Sequence, residues 1–466
     1  MKIVIFTTAI LLTFLQVKGQ ENHEPIPPTN DSIKIKSVQD FFQKSAWDFH
    51  SRSYFMATLN DGVLKDDYTF AQGAGIGLLT IPVKGFQLGV KGYFIFNVAS
   101  SDLSKPDATT LANNRYEIGQ YDVTDPTNGK DLDRLEDLFL RYTFRHSSIT
   151  FGRMEIETPF MNMQDGRMRP TLEEGTWLKL KLSEKIQFEG GYIWSVSPRS
   201  TVEWYSLKES IGIYGQGVNS KGKPSNYLDH IDAGGMFLGN LKLKVTKGLS
   251  FNIWNAYFEK IMNTALIEIK NENQFKSFNF YQGVMFFHQN AIGNGGNENQ
   301  NITYIEKGSE ANVISARVGL KTKKINWNVN FTHITNHGRY LMPREWGRDY
   351  FYTFMPRERN EGAGNLNAFT TNFLFGAEAN KLKAGIGYGY YKMPSVTDFK
   401  FNKYGMPAYH QLNISAQYSF VNFWKGLNVR FLVAAKKQDG NEVLNPKFVY
   451  NKVNMANFNF IVDLKL

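Results

Sequence analysis

The chain has 466 residues, 42% hydrophobic and 15% aromatic, with no cysteine, a mean hydropathy of −0.36 and a formal charge of +10. The missing cysteine excludes a disulfide framework and a lipid-modified N-terminal cysteine. Past the first twenty residues no run approaches the roughly 18–20 apolar residues of a membrane-spanning helix. The low mean hydropathy leaves a membrane β-barrel open, because barrel strands turn only alternate residues to lipid.

The N-terminus carries Lys2, an uncharged apolar stretch from Ile3 to Leu15, and Val17-Lys18-Gly19, which together predict an export signal over residues 1–19. Losing Lys2 and Lys18 with it would leave a charge of +8. An exported protein meets little nucleic acid, so the basic balance points to anionic lipid or an anionic solute. Residues 20–46 are polar and Pro-containing, as expected of a periplasmic arm, and residues 47–466 are expected to form one transmembrane β-barrel.

From there one unit recurs: an alternating segment of about ten residues, a long polar loop, another such segment, a tight turn. The predicted strands are Trp47–Leu59, Tyr68–Leu79, Phe86–Asn97, Leu135–Arg145, Ser148–Met154, Thr176–Leu182, Ile186–Val196, His230–Leu243 and Leu249–Phe258. They continue with Asn263–Ile269, Phe275–His288, Asn312–Lys321, Ile325–Ile334, Ala368–Glu378, Leu382–Tyr391, Tyr409–Phe420, Leu427–Ala435 and Val453–Leu466. Connections alternate between short, such as His146–Ser147, and long, such as Thr335–Asn367. Turns sorted by parity are the mark of a barrel whose two rims face different surfaces, and about eighteen strands fit that class.

The last segment shows the alternation most plainly. Phe458, Phe460, Val462, Leu464 and Leu466 share one parity, and Asn457, Asn459, Asp463 and Lys465 the other, with Ile461 out of class. Such a strand is expected to close the ring against the first. In Ile325–Phe331, Trp327, Val329 and Phe331 likewise oppose Asn326, Asn328 and Asn330. The apolar faces would touch lipid, with aromatic girdles at their ends, and the polar faces would line a wet bore.

Arginines fall on the polar faces. Arg52 travels with His50 and Tyr54, Arg141 with Asp137 and Thr143, Arg317 with Ser315 and Gly319, and Arg430 with Asn428. Facing lipid at the midplane each would cost roughly 2–4 kcal/mol, so they are expected to face inward. They are either scattered in a polar lumen or form a cationic track for an anionic group. The loops Glu155–Glu174 and Thr335–Asn367 are dense in charges and aromatics, and both are expected to fold inward and narrow the channel. Other signals are weak. Gly73, Gly75 and Gly77 lie in a strand rather than a nucleotide loop. His333 and His337 do not converge on a metal. Glu155 and Glu157 are read as salt-bridge partners of Arg153, Arg167 and Arg169 rather than as an acid–base pair.

Two motifs carry a family resemblance. Met342-Pro343-Arg344-Glu345-Trp346-Gly347-Arg348-Asp349-Tyr350-Phe351, followed by Met355-Pro356-Arg357-Glu358-Arg359, resembles a loop of the OprD family of substrate-selective outer-membrane porins. Phe151-Gly152-Arg153-Met154-Glu155, with Thr158-Pro159 and Arg167-Met168-Arg169-Pro170, is similar to that family's constriction loop. The resemblance implies an eighteen-stranded barrel, a narrow eyelet, an arginine/lysine ladder and passive uptake of small carboxylate-bearing solutes. It would place Arg167 and Arg169 in the constriction loop, and Arg344, Glu345, Arg348, Arg357 and Arg359 in a later inward loop. Two departures stand out: Leu466 replaces the usual terminal Phe, and the loop from Ala99 to Arg134, with Lys105, Asp107 and Asp125, is long. The reading needs no cofactor, metal or catalytic residue. The expected partners are small solutes and outer-membrane lipid, in a monomer or a loose homotrimer. An outer-membrane lipase or protease is the alternative, but no nucleophile–base pair stands out. A soluble glycan-binding β-protein is a third reading.

Overall fold

A computed structural model describes residues 35–164, 166–376, 381–441 and 444–466. The predicted export signal and the first part of the arm lie outside the described residues. The described chain begins with a short helix, α1 (Val38–Lys44), whose Ser37 hydroxyl accepts from the Asp40 amide at 3.1 Å. Eighteen long strands follow. They are β1 Ala46–Asn60, β2 Asp67–Leu79, β3 Phe86–Ser100, β4 Leu132–Phe144, β5 Ser147–Met154, β6 Leu172–Lys181, β7 Ile186–Ser197, β8 Met236–Lys244 and β9 Leu249–Phe258. The second half comprises β10 Met262–Gln274, β11 Asn279–Ala291, β12 Glu310–Lys321, β13 Ile325–Ile334, β14 Leu366–Phe375, β15 Leu382–Lys392, β16 Tyr409–Ser419, β17 Leu427–Gln438 and β18 Met455–Lys465. A two-residue strand, Tyr205–Ser206, pairs with β7 in the loop that follows it.

Each long strand pairs antiparallel with its sequence neighbours, and β1 pairs with both β2 and β18, so the sheet is closed. Across the closing seam Arg52 stands opposite Asp463 and Phe55 opposite Phe460. No helix among the described residues is long and apolar enough to cross a membrane. Closure leaves no strand edge, which is how a β-structure satisfies its backbone in lipid.

The faces sort as the alternation requires. In β18, Asn457, Asn459, Ile461 and Asp463 are buried inward while Phe460 is exposed. Ile461 breaks the pattern only in chemistry; its side chain still points inward. Exposed Trp47, Phe86, Tyr142, Trp327 and Tyr418 mark one rim, and Tyr68, Phe237, Tyr257 and Tyr388 the other. In water this belt would be an oversized apolar surface; against acyl chains it is the expected one. One rim carries tight turns, such as 145–146 and 245–248. The other carries long loops, with two short exceptions at 61–66 and 259–261.

Several predicted strands differ by a few residues at their ends, such as Thr176–Leu182, which is Leu172–Lys181, and Asn263–Ile269, which is Met262–Gln274. Predicted Phe275–His288 starts at Asn279, because the Phe275 amide donates to the Phe278 carbonyl at 2.8 Å and turns the chain there. Predicted His230–Leu243 starts at Met236, the preceding residues belonging to a loop. In β4 a register irregularity against Lys91 and Gly92 seats Glu136 in the interior beside Asp137. A bulge of this kind interrupts strict alternation.

Candidate functional site

The bore is occupied by its own loops. The segment between β5 and β6 crosses to the wall of β1, where Arg52 Nη1 donates to the Arg167 carbonyl at 2.6 Å. It is tied to the loop between β13 and β14, since the Asn162 amide donates to the Trp346 carbonyl at 2.9 Å and the Arg348 amide to Asn162 Oδ1 at 3.0 Å. That second loop packs Trp346 edge-on to Phe258 and donates from its indole to Ser210 Oγ at 2.9 Å. It also reaches the opposite wall, where Arg357 Nε donates to Asn457 Oδ1 at 2.7 Å and Arg357 Nη2 to Tyr54 Oη at 3.0 Å. A third inward segment comes from the long loop between β3 and β4, where Glu117 accepts from Thr58 on β1 and Tyr121 bonds Thr69 on β2.

Between these loops lies a cavity of about 1200 Å³. Among the described residues, seven arginines (115, 167, 199, 344, 348, 357, 359) and three lysines (403, 447, 452) line it, against Glu157 and Glu358 as the lining carboxylates. Arg344 and Arg359 share Glu361, each with Nε 3.6 Å from its carboxylate oxygen. Among the described residues the other lining cations have no carboxylate at ion-pair distance. Aromatic faces support several of the lining cations. Arg344 lies 4.7 Å from the centre of the Tyr404 ring and Arg348 4.9 Å from that of Phe354. Such stacking stabilises a guanidinium without cancelling its charge.

The crowding of like charges shows in the proton affinities. Burial, then repulsion from Arg344, lowers Arg115 to about 10, and burial is the main cause holding Arg199 at about 10. Arg167 is lowered by burial and by Arg357 and Arg199. Burial opposes the charge on Arg344, but Tyr404 and Glu361 outweigh it and hold its affinity above the ordinary value. These arginines stay charged at neutral pH. Burial, with Arg115, Arg344 and Lys447 nearby, pushes Lys452 down to about 7. Burial is also the leading cause that lowers Lys403 to about 8.

The structure distributes the residues singled out from sequence into three groups. Arg167, Arg344, Arg348, Arg357 and Arg359 come together on the cavity. Arg52 and Arg430 face inward but pair with Asp463, Arg52 Nε at 2.6 Å and Arg430 Nη2 at 2.6 Å. The rest do not line the cavity. Arg141 lies over Phe139 and donates to Thr150 Oγ1 at 3.1 Å, and Arg317 stacks over Tyr352 at 4.2 Å. Arg169 is buried with Nη2 donating to the Leu132 carbonyl at 2.8 Å. Glu345 is buried, accepting from the amides of Tyr214 at 2.8 Å and Gly212 at 3.1 Å. Nor do Glu155 and Glu157 pair with Arg153, Arg167 or Arg169. Glu155 lies 3.9 Å from Lys91, Glu157 accepts from the Met163 amide at 3.2 Å, and Arg153 pairs with Glu174 at 3.3 Å. Sequence reasoning missed Arg115, Arg199, Lys403, Lys447 and Lys452. They are spread over four different loops, with only Lys447 and Lys452 sharing one, and no motif signals their convergence.

A closed barrel with a lipid-facing belt and a charged bore narrowed by its own loops is an outer-membrane channel of the porin class. The sequence profile of the outer membrane porin, OprD family, matches residues 110–348, just over half of the chain, and the chain belongs to that family of Gram-negative outer-membrane porins. Solved structures share the fold at low identity. OccAB4 of Acinetobacter baumannii has 15% identity and a TM-score of 0.69, over 91% of this chain and 98% of that one. OccK9 (OpdG) of Pseudomonas aeruginosa has 12% identity and a TM-score of 0.70, over 91% and 100%. OpdK of Pseudomonas aeruginosa, solved with vanillate, has 12% identity and a TM-score of 0.66, over 91% and 99%. A comparison with curated proteins gave no match.

Proposed function

We propose that this porin passes small anionic solutes, carboxylates foremost, down their gradient and past the cavity cations. The observation that carries the reading is the charge on the lining: among the described residues, ten cationic side chains against two carboxylates. A carboxylate would exchange water for guanidinium contacts at successive positions, each weak enough to release it. The relative solved with vanillate, an aromatic carboxylate, supports the same solute class. Residues 1–19 serve as the export signal in this reading, and passage involves no turnover chemistry, so the chain is a conduit rather than a lipase or protease.

Uptake by proteoliposomes tests it. Arg344→Ala with Arg348→Ala should slow entry of carboxylates several-fold more than that of neutral solutes of equal size. Equal slowing of both classes would refute the cationic role.

A further inference from the structure

Six of the ten cavity cations fall into two sets. The lower set is Arg167, Arg199 and Arg357. A side-chain carbon placed on Gly166 would lie 3.4 Å from Arg199 Nη1 and 3.9 Å from Arg357 Nη1, so two guanidinium tips converge on one point. Arg167 passes beside Gly119, within 2.6 Å of where a Cβ would stand. The upper set is Arg115, Arg344 and Lys452, the last anchored by a 2.8 Å bond to the Tyr404 carbonyl. The ring of Tyr116 lies beside a member of each set, with Arg115 at 5.5 Å and Arg357 at 5.9 Å from its centre.

Both sets hold charge that no described carboxylate fully compensates. Among the described residues no carboxylate lies at ion-pair distance from any member of the lower set, and in the upper set only Arg344 has one, the Glu361 it shares with Arg359. The Nε atoms of Arg167, Arg199 and Arg344 are buried without a hydrogen-bond partner. A solute with one anionic group can satisfy one set and leaves the other bare. A solute with two, joined by a spacer that spans the sets, fills both at the entropic cost of a single binding event.

We propose that the cavity receives small solutes carrying two anionic groups, one seated between Arg167, Arg199 and Arg357 and the other between Arg115, Arg344 and Lys452. This rests on the anionic-solute reading above and narrows it to dianions. Because both groups must leave together, the dianion also dwells longer in the bore.

The test uses the full protein in planar bilayers at neutral pH, with chloride current blocked by succinate, butyrate or neutral 1,4-butanediol. Succinate should block with an apparent constant at least about tenfold lower than butyrate. Arg115→Gln with Lys452→Gln, and separately Arg199→Gln, should each bring succinate to the butyrate level while butyrate changes little. Open-channel conductance and heat-modifiable gel migration confirm that each variant is folded. Equal block by succinate and butyrate in the unaltered protein, or a succinate advantage that survives in both variants, would overturn the two-group proposal alone. Butyrate blocking no better than butanediol would instead bring down the anionic-solute reading.

Discussion

Gly166 offers the sharpest perturbation of the cavity, because it adds a charge without removing a packed side chain. A methyl group placed on it would meet Arg199 Nη1 at 3.4 Å, the Gln164 carbonyl at 3.7 Å and Arg357 Nη1 at 3.9 Å. Gly166→Ala therefore fits with ordinary contacts. Gly166→Asp sets a tethered carboxylate beside both guanidinium tips. In a water-filled bore a unit charge about 4 Å from another interacts by about 1 kcal/mol. A mobile anion seated there gains about 2 kcal/mol from the two arginines, and the aspartate takes that place and repels the newcomer. Binding of a dicarboxylate, which needs this point, should weaken by about 2 kcal/mol, or about thirtyfold, while butyrate, free to use Arg115, Arg344 and Lys452, changes little and Gly166→Ala stays close to the unaltered protein. Concentration-dependent block of single-channel current reads this directly. If the aspartate and alanine variants bound the blocker alike, the convergence of Arg199 and Arg357 would have no bearing on the solute.

Other outcomes follow from the same geometry. Asp463 accepts from Arg52 and Arg430 at the closing seam, with His50 3.2 Å away. Asp463→Ala takes the only carboxylate at ion-pair distance among the described residues from the deeply buried Arg52 and should cost about 3 kcal/mol, with Arg430 adding little because it is partly solvated; unfolding in urea, followed by the gel-mobility shift, measures it. Phe460→Arg puts a cation on the lipid face and should destabilise by about 2–4 kcal/mol in bilayers, whereas Asn459→Gln on the lumen side should not approach that cost. Because burial has lowered Lys452 to about 7 and Lys403 to about 8, both are charged at pH 6 and neutral at pH 9. Anion preference should therefore fall as pH rises through that window, and Lys452→Met should remove the lower-pH part of the change.

The barrel is legible in the sequence because its physics is local. Each strand has lipid on one side and water or loops on the other, so alternation survives residue by residue, as in Trp327, Val329 and Phe331 against their asparagines. Boundaries slip where locality fails. Phe275 and Phe278 are apolar enough for a strand, yet stacked at 4.8 Å they form a turn. The site is less legible, because loops decide it. Arg344, Arg348, Arg357 and Arg359 stand out through a dense charged motif, but Arg115, Arg199 and Lys452 have no such mark and converge only once three loops enter the bore. The same limit applies to Arg52, whose partner Asp463 lies across the seam, 411 residues away in sequence.

The reversal potential of the reconstituted channel in a tenfold potassium chloride gradient tests the central claim most directly. The surplus of lining cations predicts a potential of the sign chloride sets, moving toward its limit of about 59 mV. A potential near zero, or one of the potassium sign, would contradict it.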